Sequence, residues 1–209
     1  MLIFSACGGS ATKEMNLTPA EKILDRSIAF HDPDGDWDTW EGRLDIKETR
    51  PDGNDIATTV WINNDEGLVR IRRGKQEFGM KQDSCFVIAG DADCERAEFM
   101  RNYFLYLWGL PMKLKDPGTA LSDRVDTLTW NSRNVLVLHV SYEKEDWSYY
   151  FDRNNFALTG YRFVKRDGTG EWIELYDTGK AGNMILPKER RWFVLLDSTH
   201  LGTDILTGD

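Results

Sequence analysis

Cys94-Glu95-Arg96-Ala97-Glu98-Phe99-Met100-Arg101-Asn102-Tyr103-Phe104-Leu105-Tyr106-Leu107-Trp108 stands between two long series of strand-like segments. Asp93 can cap a helix over this stretch, and Gly109 followed by Pro111 can end it. Ala97, Met100, Phe104, Leu107 and Trp108 share one stripe at helical spacing; Phe99, Tyr103 and Tyr106 make a second. A helix resting on a sheet needs one apolar stripe. This one is apolar around much of its circumference, so it is either sunk into a core or roofs a cavity.

The flanking segments alternate with period two. Trp40 to Thr49, Ile56 to Ile62, Leu68 to Arg73, Phe78 to Met80 and Cys85 to Ala89 precede the helix. Val125 to Trp130, Val135 to Tyr142, Trp147 to Phe151, Leu158 to Val164, Trp172 to Tyr176 and Arg190 to Leu196 follow it. Pro51-Asp52-Gly53-Asn54, Asn63 to Gly67 and Arg166 to Gly170 supply turns. Apolar-in, polar-out alternation is the mark of antiparallel sheet. An earlier helix starts at Thr18-Pro19-Ala20-Glu21, a capping box with proline at the first helical position. Ala20, Ile23, Leu24, Ser27, Ile28 and His31 share its apolar face, and Asp32-Pro33-Asp34-Gly35 stops it. The expectation is an α+β fold. About ten strands make a large antiparallel sheet, which must curl or close at that size. The N-terminal helix precedes it, and the second helix covers its concave face.

Composition bounds the function. The chain has 209 residues and a formal net charge of -9, with 12% aromatics, 8 Trp and 3 Cys. The acidic balance argues against nucleic acid, whose phosphates call for a basic stripe. Mean hydropathy is -0.50, and no run reaches the roughly 18 apolar residues of a membrane-spanning helix.

The N-terminus reads Met1-Leu2-Ile3-Phe4-Ser5-Ala6-Cys7-Gly8-Gly9-Ser10. Phe4-Ser5-Ala6-Cys7 resembles the end of a bacterial lipoprotein signal, in which small residues admit the peptidase and the thiol carries the lipid. The apolar run is shorter than a complete signal, and Lys and Arg are absent from it. The resemblance implies a truncated signal over 1–7 with Cys7 as the lipid attachment, a flexible tether over 8–17 and one α+β domain over 18–209. It also implies a place in the bacterial cell envelope, lipid-anchored at the periplasmic face of the outer membrane. With Cys7 set aside, Cys85 and Cys94 remain, either as a disulfide or as two buried thiols.

Three further stretches are distinctive: Tyr103 to Gly118, Ile28 to Trp37, and Leu201-Gly202-Thr203-Asp204. Together they resemble a domain family of unknown function found among bacterial lipoproteins. The layout is also similar to the LolA/LolB-like lipoprotein carriers. That similarity implies a half-barrel whose apolar hollow shelters acyl chains. The implied lining is Phe99, Tyr103, Phe104, Leu107, Trp108, Trp147, Tyr149, Phe151 and Trp192. The same aromatics equally suit a filled core.

The remaining candidates read weakly. His31-Asp32-Pro33-Asp34-Gly35-Asp36-Trp37-Asp38 is acidic, but it fails the calcium-loop register. A polar turn accounts for it, with Asp32, Asp34 and Asp36 as weak metal candidates. His31, His139 and His200 are far apart and read as structural. No nucleophile motif or phosphate loop is present, and no cofactor is called for. The leading expectation is a non-enzymatic, lipid-anchored envelope protein holding a lipid or the acyl chains of a client lipoprotein. The alternative is an interaction or scaffold lipoprotein with a filled core, and a third is a carboxylate hydrolase at Asp32, Asp34 and Asp36.

Overall fold

The structure is a computed structural model, and residues 17–208 are described. Cys7, the signal remnant and all but the last residue of the tether lie outside the described residues. Helix α1 runs Pro19–His31. Five strands follow: β1 (Glu41–Thr49), β2 (Ile56–Asn63), β3 (Leu68–Arg73), β4 (Gln76–Lys81) and β5 (Ser84–Ala89). Helix α2 is Cys94–Trp108. Seven more strands complete the chain: β6 (Leu121–Trp130), β7 (Arg133–Ser141), β8 (Glu145–Asp152), β9 (Leu158–Lys165), β10 (Gly170–Ala181), β11 (Met184–Val194) and β12 (His200–Leu206).

The twelve strands form one antiparallel sheet in the order β5-β4-β3-β2-β1-β12-β11-β10-β9-β8-β7-β6. Two meanders thus meet at the centre. The first runs outward from β1 to the β5 edge. The segment containing α2 carries the chain across to the β6 edge. The second meander returns inward until β12 pairs with β1, with Glu48 opposite Asp204. The sheet is open and curled, with both helices on its concave face. Each outermost strand is irregular: Ile88 is an extra residue in β5, and β6 slips register between Leu121 and Val125.

Both helices form for local reasons. Glu21 N–H donates to the Thr18 hydroxyl at 3.2 Å while Thr18 N–H donates to the Glu21 carboxylate at 2.7 Å. These two bonds satisfy orphan donors at the start of α1. Arg96 N–H donates to the Asp93 carboxylate at 2.7 Å, capping α2. On α2, Ala97, Met100, Phe104, Leu107 and Trp108 are buried. Ala97, Met100, Phe104 and Trp108 join Leu44, Ile46, Val60, Ile62, Val69, Ile71 and Phe78 on one half of the concave face, while Leu107 belongs to the other half. On the other half, Ala20 and Leu24 of α1 meet Leu138, Val140, Tyr149, Phe151, Tyr161 and Ile173.

Two differences from the sequence reading are structural. There are twelve strands rather than about ten: β12 adds one to the eleven segments read from the sequence, and β10 and β11 also run much longer than their apolar cores. The β10–β11 hairpin turns on Gly182 at φ 61°, and Pro187-Lys188-Glu189 had masked the strand character beyond it. The late aromatics also divide. Trp192 faces inward, whereas Trp172 stacks on Phe193 at 4.2 Å and Trp130 on Tyr150 at 4.4 Å in a separate outer cluster.

Candidate functional site

Strand alternation places the site. In β1 the inward positions are Leu44, Ile46 and Glu48; in β3 they are Val69, Ile71 and Arg73. In β12 Asp204 precedes Leu206, and in β11 Arg190 precedes Trp192, all inward. The same alternation that turns these apolar residues inward therefore delivers one charge per strand to the concave face. The register aligns them across the sheet: Thr58 opposite Arg73, Glu48 opposite Asp204, Asp204 opposite Arg190. The result is a charged belt running from β3 to β11.

Glu48 is its hub, 4% exposed. Arg73 clamps it bidentately, Nε to Oε1 at 2.9 Å and Nη2 to Oε2 at 2.7 Å. Arg50 Nη2 donates to Oε2 at 2.6 Å, and the Thr58 hydroxyl donates to Oε1. Burial alone would raise the Glu48 carboxyl, but the Arg73 and Thr58 hydrogen bonds outweigh it and hold the group below the usual range. Asp204, 3% exposed, accepts from Trp192 Nε1 at 2.9 Å and from Arg50 Nη1 at 3.4 Å. Burial raises its pKa, and the Glu48 charge adds to the rise. Arg190, 1% exposed, lies with its guanidinium 3.3 Å over the Trp108 ring. It donates to the Pro187 and Leu107 carbonyls at 3.1 and 3.5 Å. The belt holds three guanidinium groups against two carboxylates.

A chain of aromatic contacts leads from solvent past this belt. Phe99 stacks on Tyr103 (6.5 Å), Tyr103 on Trp192 (5.9 Å), and Trp192 meets Tyr161 edge-on (6.3 Å). Tyr161 stacks on Trp147 (5.8 Å), which touches Tyr149 and Tyr106. At the far end the Tyr106 hydroxyl bonds to those of Tyr149 (2.5 Å) and Tyr142 (3.0 Å). Burial pushes the Tyr103, Tyr106 and Tyr149 hydroxyls up, so all stay neutral donors.

The expected lining residues separate in this arrangement. Phe104, Leu107, Trp108, Trp147, Tyr149, Phe151 and Trp192 are buried and packed on one another. Tyr103 is partly buried. Phe99 is 59% exposed rather than part of an enclosed lining, because it sits near the start of α2, beyond the rings it stacks on. Recesses of about 520 and 240 Å³ open elsewhere, the first against Asp45, Thr59 and Thr207, the second beside α2 at Trp37, Asn64 and Arg101. Cys85 and Cys94 are joined as a disulfide, with Cα atoms 5.5 Å apart, tying the start of α2 to β5.

Asp32, Asp34 and Asp36 do not converge on a metal or a substrate. The Asp32 carboxylate accepts the Asp36 and Trp37 amides at 2.9 and 3.1 Å, and the other two are exposed. Among the described residues no three His, Cys, Asp or Glu side chains form a metal-holding group. Each histidine has a hydrogen-bond partner: His31 with Ile185 and Leu158, His139 with Asp126 and Ser148, His200 with Thr203. The belt is what the sequence reading missed. The only local trace of it is a charge two residues from an inward apolar position, after Ile46 and Ile71 but before Trp192 and Leu206, and that alone does not tell a buried charge from a surface one.

A model of a family of unknown function, DUF6503, matches residues 53–206, which takes in α2 and eleven of the twelve strands. The chain belongs to the DUF6503 family. No curated protein matches this sequence. The DUF6503 fold is similar to that of a putative outer membrane lipoprotein-sorting protein domain from Vibrio parahaemolyticus. The two are 12% identical over 91% of this chain and 92% of that one, with a TM-score of 0.54. A DUF1329 family protein from Desulfovibrio piger is 8% identical over 92% of each chain, with a TM-score of 0.51. A LolA superfamily protein from Nitrosomonas europaea is 11% identical over 92% of each chain, with a TM-score of 0.47. At such identities the likeness is one of fold: the DUF6503 chain shares its overall fold with the Vibrio and Desulfovibrio proteins.

Proposed function

We propose that this DUF6503 chain is a non-enzymatic, lipid-anchored protein of the bacterial envelope, held at the periplasmic face of the outer membrane through Cys7. It takes an apolar ligand, a lipid or the acyl chains of a client lipoprotein, between the curled sheet and its helices. The observation that carries this reading is the aromatic run from exposed Phe99 through Tyr103 and Trp192 to Trp147. It offers an acyl chain a continuous apolar path from solvent into the concave face. Because the inner rings pack on one another, entry requires α2 to lift from the sheet, with its start held by the Cys85–Cys94 bond. A disulfide also suits an oxidising compartment outside the cytosol.

Native mass spectrometry after gentle extraction tests the ligand. The expected result is a mass excess matching acyl-chain compounds; a uniformly ligand-free protein overturns the reading. The anchor is tested separately by Cys7→Ser in a chain with a complete signal sequence. The variant is expected to leave the membrane for the soluble fraction, and membrane retention would refute the anchor. The close ring packing favours one other reading, an interaction or scaffold lipoprotein with a filled core. In the same extraction that reading predicts co-purifying proteins and no lipid.

A further inference from the structure

Arg190 is the anomaly in the belt. An ion removed from water needs an opposite charge or a full set of hydrogen bonds. Glu48 has Arg73 and Arg50, and Asp204 has Arg50 and Trp192. Arg190 forms no ion pair within 4 Å among the described residues: Asp204, opposite it in the register, acts on it from farther off and bonds instead to Arg50 and Trp192, and the two bonds of Arg190 go to neutral carbonyls. Its Nε–H has no partner. The fully buried Tyr161 hydroxyl lies alongside and is also without a hydrogen bond of acceptable geometry. The Arg190 guanidinium and the Tyr161 hydroxyl thus have each other as neighbours, and neither the Nε–H nor the O–H has an anion to receive it. Tyr161 is also the ring through which the aromatic run passes from Trp192 to Trp147.

We infer that Arg190 and Tyr161 receive the anionic head of the ligand, so that the occupant is an anionic amphiphile whose tail lies along Trp147. This rests on the apolar-ligand reading above and names its substrate class. The head is a carboxylate or a phosphate, each of which matches the planar donor fork of a guanidinium. The ligand's charge supplies what Arg190 lacks and leaves the belt balanced, with three guanidinium groups facing three anions. Arg50 and Arg73, both partly exposed, stand at the edge of the belt, where an arriving anion first meets it.

The test titrates the full delipidated chain, followed by tryptophan fluorescence, with oleate, oleoyl lysophosphatidate and oleyl alcohol below their aggregation limits. At least one anion is expected to bind about tenfold or more tighter than the alcohol. Comparing oleate with the lysophosphatidate tells a fatty-acid head from a phospholipid head. Tyr161→Phe removes only an unbonded hydroxyl, so it should fold with an unchanged melting temperature and lose several-fold of the anion preference. Arg190→Met is expected to bind anion and alcohol alike. Equal binding of anions and alcohol by the unaltered chain overturns the inference while the apolar-ligand reading stands. Binding of none of the three defeats that reading itself. An undiminished preference in both variants also overturns the assignment to Arg190 and Tyr161.

Discussion

His31 Nε2 accepts the backbone amide of Leu158 at 2.9 Å, joining the last residue of α1 to the first of β9. Its Nδ1–H donates to the Ile185 carbonyl at 2.5 Å, so both ring nitrogens are committed and the neutral tautomer is set. One imidazole therefore pins the helix to two separate strands, β9 and β11.

That commitment makes stability pH-dependent. Burial, with Arg190 nearby, drives the His31 pKa down to about 4. The unfolded chain takes up the proton near the ordinary value of about 6.5. The neutral ring therefore contributes in full above about 6.5, and its contribution is lost as the pH falls toward about 4. The loss runs at about 1.4 kcal/mol per pH unit. Urea midpoints should drop across this window, and His31→Gln, though less stable at neutral pH, should show a shallower drop. An equal slope in both proteins would contradict the assignment.

Breaking the hub of the belt should be expensive. Glu48→Ala leaves Arg73 without its carboxylate and Thr58 without its acceptor, an expected loss of about 3–5 kcal/mol. Replacing Glu48 and Arg73 together by Leu should cost clearly less than the single change. Thermal melts of the three proteins check this, and additive losses would show that the pair is not coupled.

The Cys85–Cys94 bond closes a short loop, with a sequence separation of 9. Chain-entropy scaling for such a loop gives about 2–3 kcal/mol. Changing both cysteines to Ser should lower the denaturant midpoint accordingly. Hydrogen exchange should locate the extra opening at β5 and the first turn of α2. Opening spread evenly over the sheet would argue that the bond has no local role.

Gly160 has no room for a side chain. A Cβ there would fall 2.8 Å from the Ile173 carbonyl oxygen and 2.9 Å from Trp130 Nε1. Gly160→Ala is expected to cost about 1–3 kcal/mol and to change near-ultraviolet dichroism as Trp130 is displaced from Tyr150. A variant as stable as the parent would mean that β9 can shift away from both the Ile173 carbonyl and Trp130.

Local signals reached most of the fold. Thr18-Pro19-Ala20-Glu21 announced α1, Asp93 and Gly109 bounded α2, and alternation marked the strands up to Lys165. Trp147, Tyr149 and Phe151 share the inner face with Tyr150 opposite, as period two requires. The C-terminal strands were harder. Residues 187–191 interrupt the apolar pattern with proline and four charges, and β12 carries few apolar residues. The belt was illegible for a related reason: Glu48, Arg73, Arg190 and Asp204 look like surface residues until their partners are known. Those partners stand 25 residues away for Arg73 and Glu48, and 154 for Arg50 and Asp204. Only the sheet register brings them together.

A curled sheet that never closes into a barrel keeps two edges, each a template on which another chain could zip. Both edge strands spoil that template. The extra Ile88 kinks β5, and β6 carries the slipped stretch Ser122-Asp123-Arg124. Bulges and charges at an edge oppose continuous pairing with a second molecule. The fold can thus stay open without growing into ribbons.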